Sequence, residues 1–270
     1  MRLPGIVYGT AWKKERTAAL VQRALELGFR GVDTACQPKH YDEPGVGQAL
    51  RVAFAGGLER SELFLQTKFT PLAGQDRARV PYDAKASLEE QVRQSCRKSL
   101  ENLGTSYLDS VLIHSPLSTF ERTLQVWREL ELLVDSGAVL QLGISNCYEL
   151  SVIEALFQQA RVKPLVVQNR FYADTGYDKE IRAFCAEHGL VYQSFWTLSA
   201  NPKVLGHAHL RALSKRHGVT PAQVLFRGLT QLGVQPLTGT TNEEHMREAL
   251  AIFDFELTAT ELDGLVTLLR

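Results

Sequence analysis

Four residues able to hold or move a proton lie at or just beyond the ends of short apolar runs: Asp33, Tyr41, Lys68 and His114. Asp33 closes Phe29–Asp33, Lys68 closes Leu63–Lys68, His114 closes Leu108–His114, and Tyr41 lies in the polar stretch after the first. At successive strand ends they would converge on one rim of a closed parallel sheet, the rim that carries chemistry in such barrels. A phenol is a weak acid, with an unperturbed pKa of about 10. A nearby ammonium stabilises the phenolate, and an imidazole donates a hydrogen bond or relays a proton. The set describes a general acid, Tyr41, tuned by Lys68, with Asp33 anchoring Lys68 and His114 orienting a substrate. Such a site suits protonation of a carbonyl oxygen as hydride reaches its carbon. Singly, each has a plainer reading: Asp33 as a turn or cap residue, Lys68 as a solvated charge, His114 as a core histidine, Tyr41 as a packed surface aromatic. Their shared placement favours the chemical reading.

The elements that must position them alternate along the whole chain. Strand patterns fall at Gly5–Gly9, Gly31–Asp33, Leu63–Lys68, Leu108–His114, Val139–Ile144, Leu165–Asn169, Leu190–Phe195 and Val234–Leu237. Helical patterns follow at Thr17–Leu27, Glu43–Phe54, Ala86–Leu103, Phe120–Ser136, Leu150–Ala160, Asp178–Glu187, His207–His217 and Asn242–Ile252. Two extra helices are expected near the C-terminus, at Pro221–Leu232 and Ala259–Leu269. Eight strand–helix units predict an α/β fold, a (β/α)8 TIM barrel formed as one domain over residues 1–270.

The composition fits an enzyme core better than a binding surface for polyanions. The chain has 270 residues, 44% of them hydrophobic, and 30 basic residues balance 30 acidic ones. Nothing there points to nucleic acid or an anionic membrane, and no apolar run is long enough to span a bilayer. The opening MRLPGIVYGT is too short and weakly apolar for a signal peptide. Cys36, Cys96, Cys147 and Cys185 form no C-x-x-C pair, which argues against zinc and a disulfide framework. A cytoplasmic protein without a metal, monomeric or weakly homo-oligomeric, is the expectation. No G-x-G-x-x-G, P-loop or H-E-x-x-H appears.

The stretches GFRGVDTACQPKHYDEPGVGQAL, ELFLQTKF, SLENLGTSYLDSVLIHSP, WRELELLVDSGAVLQLGISN, PLVVQNRFY and TPAQVLFRGLTQLG carry a resemblance to the aldo-keto reductase family. The resemblance covers nearly the whole chain. It implies a barrel that reduces aldehydes and ketones with a nicotinamide cofactor at the C-terminal rim, and it matches Asp33, Lys68 and His114 to the family's catalytic residues. The family pattern places a Tyr five residues after the Asp, where this chain has Pro38, and three before a Glu, where it has His40. Tyr41 fills the acid position if the loop CQPKHY carries an insertion; His40 is the alternative occupant.

By the same resemblance Ser145, Asn146 and Gln168 hold the nicotinamide carboxamide and Phe195 stacks on its ring, with Thr10, Trp196 and Leu198 counted among the cofactor residues. Members that prefer NADPH carry a Lys and an Arg against the 2′-phosphate; Gly239 and His245 stand in those places. Thr240 and Thr241 lead into a helix whose N–H groups could still receive a phosphate. NADPH is the expected cofactor with a weakened grip, and NADH is possible. Trp12 and Trp196 are candidate apolar lining, and Ser115 sits where a Trp is common. The sequence stops without the further C-terminal loop that walls the pocket in many members, so an open, shallow site for a small carbonyl substrate is expected.

Two other functions compete. A Schiff-base enzyme would use Lys68 as nucleophile, although Asp33 would keep the amine charged. A nicotinamide-binding regulatory barrel with little turnover would tolerate the altered Tyr loop and phosphate grip.

Overall fold

The computed structural model describes residues 3–269; Met1, Arg2 and Arg270, the ends of the expected 1–270 domain, lie outside the described residues. Eight parallel strands, β1 (Val7–Gly9), β2 (Gly31–Asp33), β3 (Phe64–Phe69), β4 (Leu108–Ile113), β5 (Val139–Ser145), β6 (Val166–Arg170), β7 (Val191–Phe195) and β8 (Val234–Thr238), pair in sequence order. β8 returns to β1, with Val7 opposite Leu237 and Tyr8 opposite Thr238, and closes the barrel. β3 and β4 are buried throughout, as strands covered on both faces must be.

Helices α1 (Thr17–Leu27), α2 (Glu43–Ala55), α3 (Leu88–Leu103), α4 (Phe120–Asp135), α5 (Leu150–Gln159) and α6 (Lys179–His188) each follow one strand. Three helices, α7 (Pro202–Leu205), α8 (Ala208–His217) and α9 (Pro221–Gln231), connect β7 to β8, then α10 (Glu243–Leu250) and α11 (Ala259–Leu268) complete the chain. The expected (β/α)8 barrel with extra C-terminal helices is the fold. Gly28 (φ 114°) and Gly104 (φ 66°) end α1 and α3 in the left-handed conformation that glycine adopts without strain.

Several boundaries differ from expectation for local reasons. β1 begins at Val7, because Gly5 bends tightly against the ring of Phe253. α3 starts at Leu88, where Ser87 accepts the Glu90 N–H as a cap. α6 starts after Asp178, because Gly176, Tyr177 and Asp178 take φ values of 57°, 53° and 50°, outside any right-handed helix. Asn242 caps α10 rather than joining it. The short α7 carries no sequence periodicity long enough to read.

The barrel axis is polar. Gln66, Gln168, Gln193 and Gln235 occupy inward positions where branched apolar residues usually pack. Gln66 and Gln168 each donate to Gln193 at 2.8 Å, Gln193 donates to Gln235 at 2.8 Å, and Gln235 donates to the Pro4 carbonyl. At the other end Gln66 and Gln168 donate to Asp33, so a ladder of amides runs from the rim at Asp33 to the barrel floor.

α2 and α3 touch with no space between them at Gly47, where a Cβ would stand 2.0 Å from the Asn102 carbonyl oxygen. Gly47→Ala is expected to cost about 1–3 kcal/mol by overpacking. The measurement is the urea midpoint, which should fall while the denaturant slope stays unchanged.

Candidate active site

The ends of β2 and β3 place a buried ion pair under the rim. Lys68 is 1% exposed, and its Nζ donates to Asp33 Oδ1 (2.7 Å), Asp33 Oδ2 (2.6 Å) and the Thr34 carbonyl (2.9 Å). Asp33 also accepts from Gln66 at 2.7 Å and Gln168 at 3.0 Å. Burying two charges is costly unless hydrogen bonds complete both partners, and here they do. Burial draws the lysine below its usual pKa range, and Asp33 opposes that draw. All three donor positions of the amine are occupied and solvent is excluded, which disfavours a Schiff-base nucleophile.

The β2–α2 loop brings the phenol over this pair. The Cys36 N–H bonds to the Lys68 carbonyl, Gln37 Nε2 to the Gly74 carbonyl, and the Tyr41 N–H to the Gln37 carbonyl. Asp42 caps α2, and the buried Glu43 accepts from Thr67 (2.6 Å), Ser99 (2.8 Å) and Asn102 (3.1 Å), which fixes the helix start two residues beyond Tyr41. Lys68 Nζ lies 5.3 Å from the Tyr41 ring centroid, and the His114 ring meets it edge-on at 5.8 Å. His40, the alternative acid, lines the same cleft, with its ring tilted by 34° to that of Trp12 at a centroid distance of 3.9 Å. Burial, with Asp33 adding to it, raises the Tyr41 pKa, so the phenol is protonated at neutral pH.

His114 Nδ1 lies 2.6 Å from the Oγ1 of Thr70, the residue just past the end of β3 and two beyond Lys68. Thr70 Oγ1 has no other acceptor among the described residues, so its proton goes to Nδ1. Nε2 then carries the imidazole proton and can donate to a ligand. Burial, followed by the Lys68 charge, pushes the His114 pKa down to about 3, so the ring is neutral.

These groups open into a cleft of about 1040 Å³, at the top of the range of roughly 300–1,000 Å³ usual for ligand pockets. Asp33, Tyr41, His114, Ser145, Asn146, Gln168, Phe195, Trp196, Leu198, Gly239, Thr240, His245 and Trp12 all line it. Lys68 lies beneath Tyr41 and Asp33. Gln168 uses both amide hydrogens on Asp33 and Gln193, leaving Oε1 to accept from a ligand. Asn146 Nδ2 bonds to the His114 carbonyl, and Ser145 Oγ to the Gln168 carbonyl, so β4, β5 and β6 are clamped at the rim. Trp12 (φ 64°) and Trp196 (φ 57°) hold left-handed backbone conformations at the mouth, with about half of each side chain exposed.

Three expected site residues fall elsewhere. Thr10 is fully buried, and its hydroxyl donates to the Asp33 carbonyl at 2.9 Å, which holds the end of β2 rather than a cofactor. Thr241 is exposed outside the cleft. Ser115 lines a neighbouring groove with Pro71 and Arg122, because the chain bends outward directly after His114. The start of α10 also differs from expectation: Asn242 accepts from the Glu244 and His245 N–H groups, and Glu243 and Glu244 occupy the first turn. That helix end is satisfied internally and acidic.

A cation missed in the sequence stands nearby. Lys13, 7% exposed, donates from the β1–α1 connection to the Gly239 carbonyl, and a Cβ at Gly239 would stand 3.4 Å from its Nζ. The glycine leaves room for a lysine from another strand. Burial, with Arg16 adding to it, draws the Lys13 pKa down to about 8. Its signal in the sequence was its place directly after Trp12. For Thr70 the signal was its place directly after the β3 run, two residues from Lys68.

The sequence profile described as the aldo/keto reductase family matches residues 5–269. The chain belongs to the aldo/keto reductase family. It is 31% identical over 256 residues to 2,5-diketo-D-gluconic acid reductase B of Corynebacterium sp. (strain SHS752001), covering 95% of this chain and 85% of that protein. To glyoxal reductase of Bacillus subtilis (strain 168) it is 31% identical over 243 residues, covering 90% and 80%. A solved aldo/keto reductase from Brucella melitensis superposes with a TM-score of 0.82 at 26% identity, over 98% of this chain and 95% of that one. This aldo/keto reductase is an oxidoreductase of carbonyl groups, and the family uses nicotinamide cofactors. Among the described residues no helix is long and apolar enough to cross a membrane, and no group of three or more His, Cys, Asp or Glu side chains could hold a metal ion.

The His114 environment has two measurable consequences. Thr70→Val should let both imidazole tautomers coexist in ring-nitrogen NMR shifts, and Thr70→Ser should restore one form. An unfolded imidazole titrates near 6.5 and the folded one near 3, so on acidification the unfolded chain takes up the proton first. This contribution to stability is intact above about pH 6.5 and is lost progressively toward about pH 3. Urea midpoints should show that slope, and His114→Gln should flatten it.

Proposed function

We propose that this aldo/keto reductase reduces small aldehydes and ketones with NADPH, and also with NADH, using Tyr41 as the general acid. The observation that carries this reading is the protonated Tyr41 phenol lining the cleft, with Lys68 Nζ 5.3 Å from its ring centroid and the His114 ring 5.8 Å away. The cofactor, when bound, supplies the hydride that reaches the carbonyl carbon.

His114 orients the substrate by donating to the carbonyl oxygen, and Tyr41 gives that oxygen a proton. An alkoxide is a stronger base than a phenolate, so transfer is downhill even from a phenol with a raised pKa. The Lys68 ammonium steadies the phenolate left behind, and Asp33 keeps that ammonium in place. Ser145, Asn146 and Gln168 fit a carboxamide, which needs donors and acceptors together, and Phe195 offers an aromatic face. Lys13 supplies the positive charge for a cofactor phosphate that Gly239 cannot. The acidic start of α10 offers the 2′-phosphate little, so a modest preference for NADPH is expected. The related diketogluconate and glyoxal reductases are consistent with a small, reactive carbonyl substrate.

Tyr41→Phe should lower kcat for an aromatic aldehyde by about two orders of magnitude or more while cofactor binding by fluorescence is preserved. Undiminished turnover would assign the acid to another group. Saturable binding without turnover in the unaltered protein would favour a regulatory barrel instead. Because Lys13 loses its charge as pH rises through about 8, the dissociation constant for NADPH should increase from pH 7 to pH 9. Lys13→Met should bind more weakly at pH 7 and lose that dependence.

A further inference from the structure

Arg170 is a cation in the cleft that the proposed reaction does not use. It ends β6 one same-face rung above Gln168, whose amide touches Asp33, and it is in register with Phe195 on β7. Two residues along a strand are about 7 Å, within reach of an arginine side chain from the reacting groups. Its guanidinium carbon lies 4.1 Å from the Trp196 ring centroid and 5.3 Å from that of Tyr172. Stacking fixes the plane of the group and leaves its edge donors free. Nε is buried with no hydrogen-bond partner. None of the ion pairs among the described residues includes Arg170. Asp33, the carboxylate that Gln168 bonds one rung below, is committed to Lys68.

We infer that Arg170 is an oxyanion receptor of this cleft, and that its stacked guanidinium takes the carboxylate of an acidic carbonyl substrate or the diphosphate of the cofactor. A planar fork with two N–H groups on one edge matches either oxyanion by paired hydrogen bonds. An unneutralised charge beside apolar walls attracts an anion more strongly than one in open water. As a selector of substrate, this inference rests on the carbonyl-reducing reading of the cleft; as a binding site it does not.

The test compares the unaltered protein with Arg170→Met, which keeps a stem against Trp196, and with Arg170→Lys. Benzoate and inorganic diphosphate are titrated calorimetrically in the absence of cofactor, and thermal midpoints establish that each variant is folded. Initial rates are then compared for a para-carboxylated and a para-nitro benzaldehyde. If the substrate supplies the anion, Arg170→Met weakens benzoate binding about tenfold and lowers the carboxylated-to-neutral ratio of kcat/KM by a similar factor, with Arg170→Lys between. If the cofactor supplies it, diphosphate and both nicotinamide dinucleotides weaken together and the ratio stays put. Changes under about twofold in every measurement overturn the proposal. Lost anion binding in a protein that turns over neither aldehyde would leave the receptor standing and overturn the proposed reaction.

Discussion

The buried pair of Asp33 and Lys68 is the interaction around which the rest of the site is arranged. Two charges inside a barrel are stable only if every remaining lone pair and proton has a partner. The chain meets that demand with Gln66, Gln168 and the Thr34 carbonyl, drawing on β2, β3 and β6 at once. Gln168 is thereby shared between the pair and the cleft, and its free oxygen is oriented by the same bonds that steady Asp33. Tyr41 lies above the pair, with Asp33 and Lys68 acting on its ring from below.

Burial acts on the neighbours in the same direction: it favours the neutral form of each. It raises the phenol of Tyr41, lowers the imidazole of His114, and raises the carboxyl of Glu43. Tyr41 and His114 are neutral where they line the cleft, and the Asp33–Lys68 pair that acts on them is held in the interior, away from water. Such an arrangement suits a reaction in which negative charge develops on a substrate oxygen.

Much of this was legible in the residues. Long apolar runs such as Leu108–His114 and capping glycines such as Gly104 marked strands and helix ends, and the strand ends marked Asp33, Lys68 and His114. What was not legible depended on partners distant in sequence. Tyr41 could be placed only once Gln37, Gly74 and Glu43 had shaped its loop. Lys13 mattered only because Gly239, on the opposite side of the chain closure, leaves it room. Thr70 and Arg170 each sit two residues beyond a residue already singled out, a period-two relation easily passed over when attention stops at the strand end. Ser115 misled for the opposite reason: adjacency to His114 in sequence does not survive the bend that follows it.

The amide ladder along the axis joins things usually kept apart in this architecture. In barrels of this kind one face is given to chemistry and the other to stability, and an apolar interior insulates them. Here Gln193 and Gln235 carry a continuous hydrogen-bonded line from Asp33 down to the carbonyl of Pro4. Gln193 and Gln235 both donate and accept, so reorienting one requires its neighbours to follow. The floor of the barrel is thus joined by hydrogen bonds to the rim that carries Asp33, and the position of Pro4 is tied to the same network that holds that carboxylate.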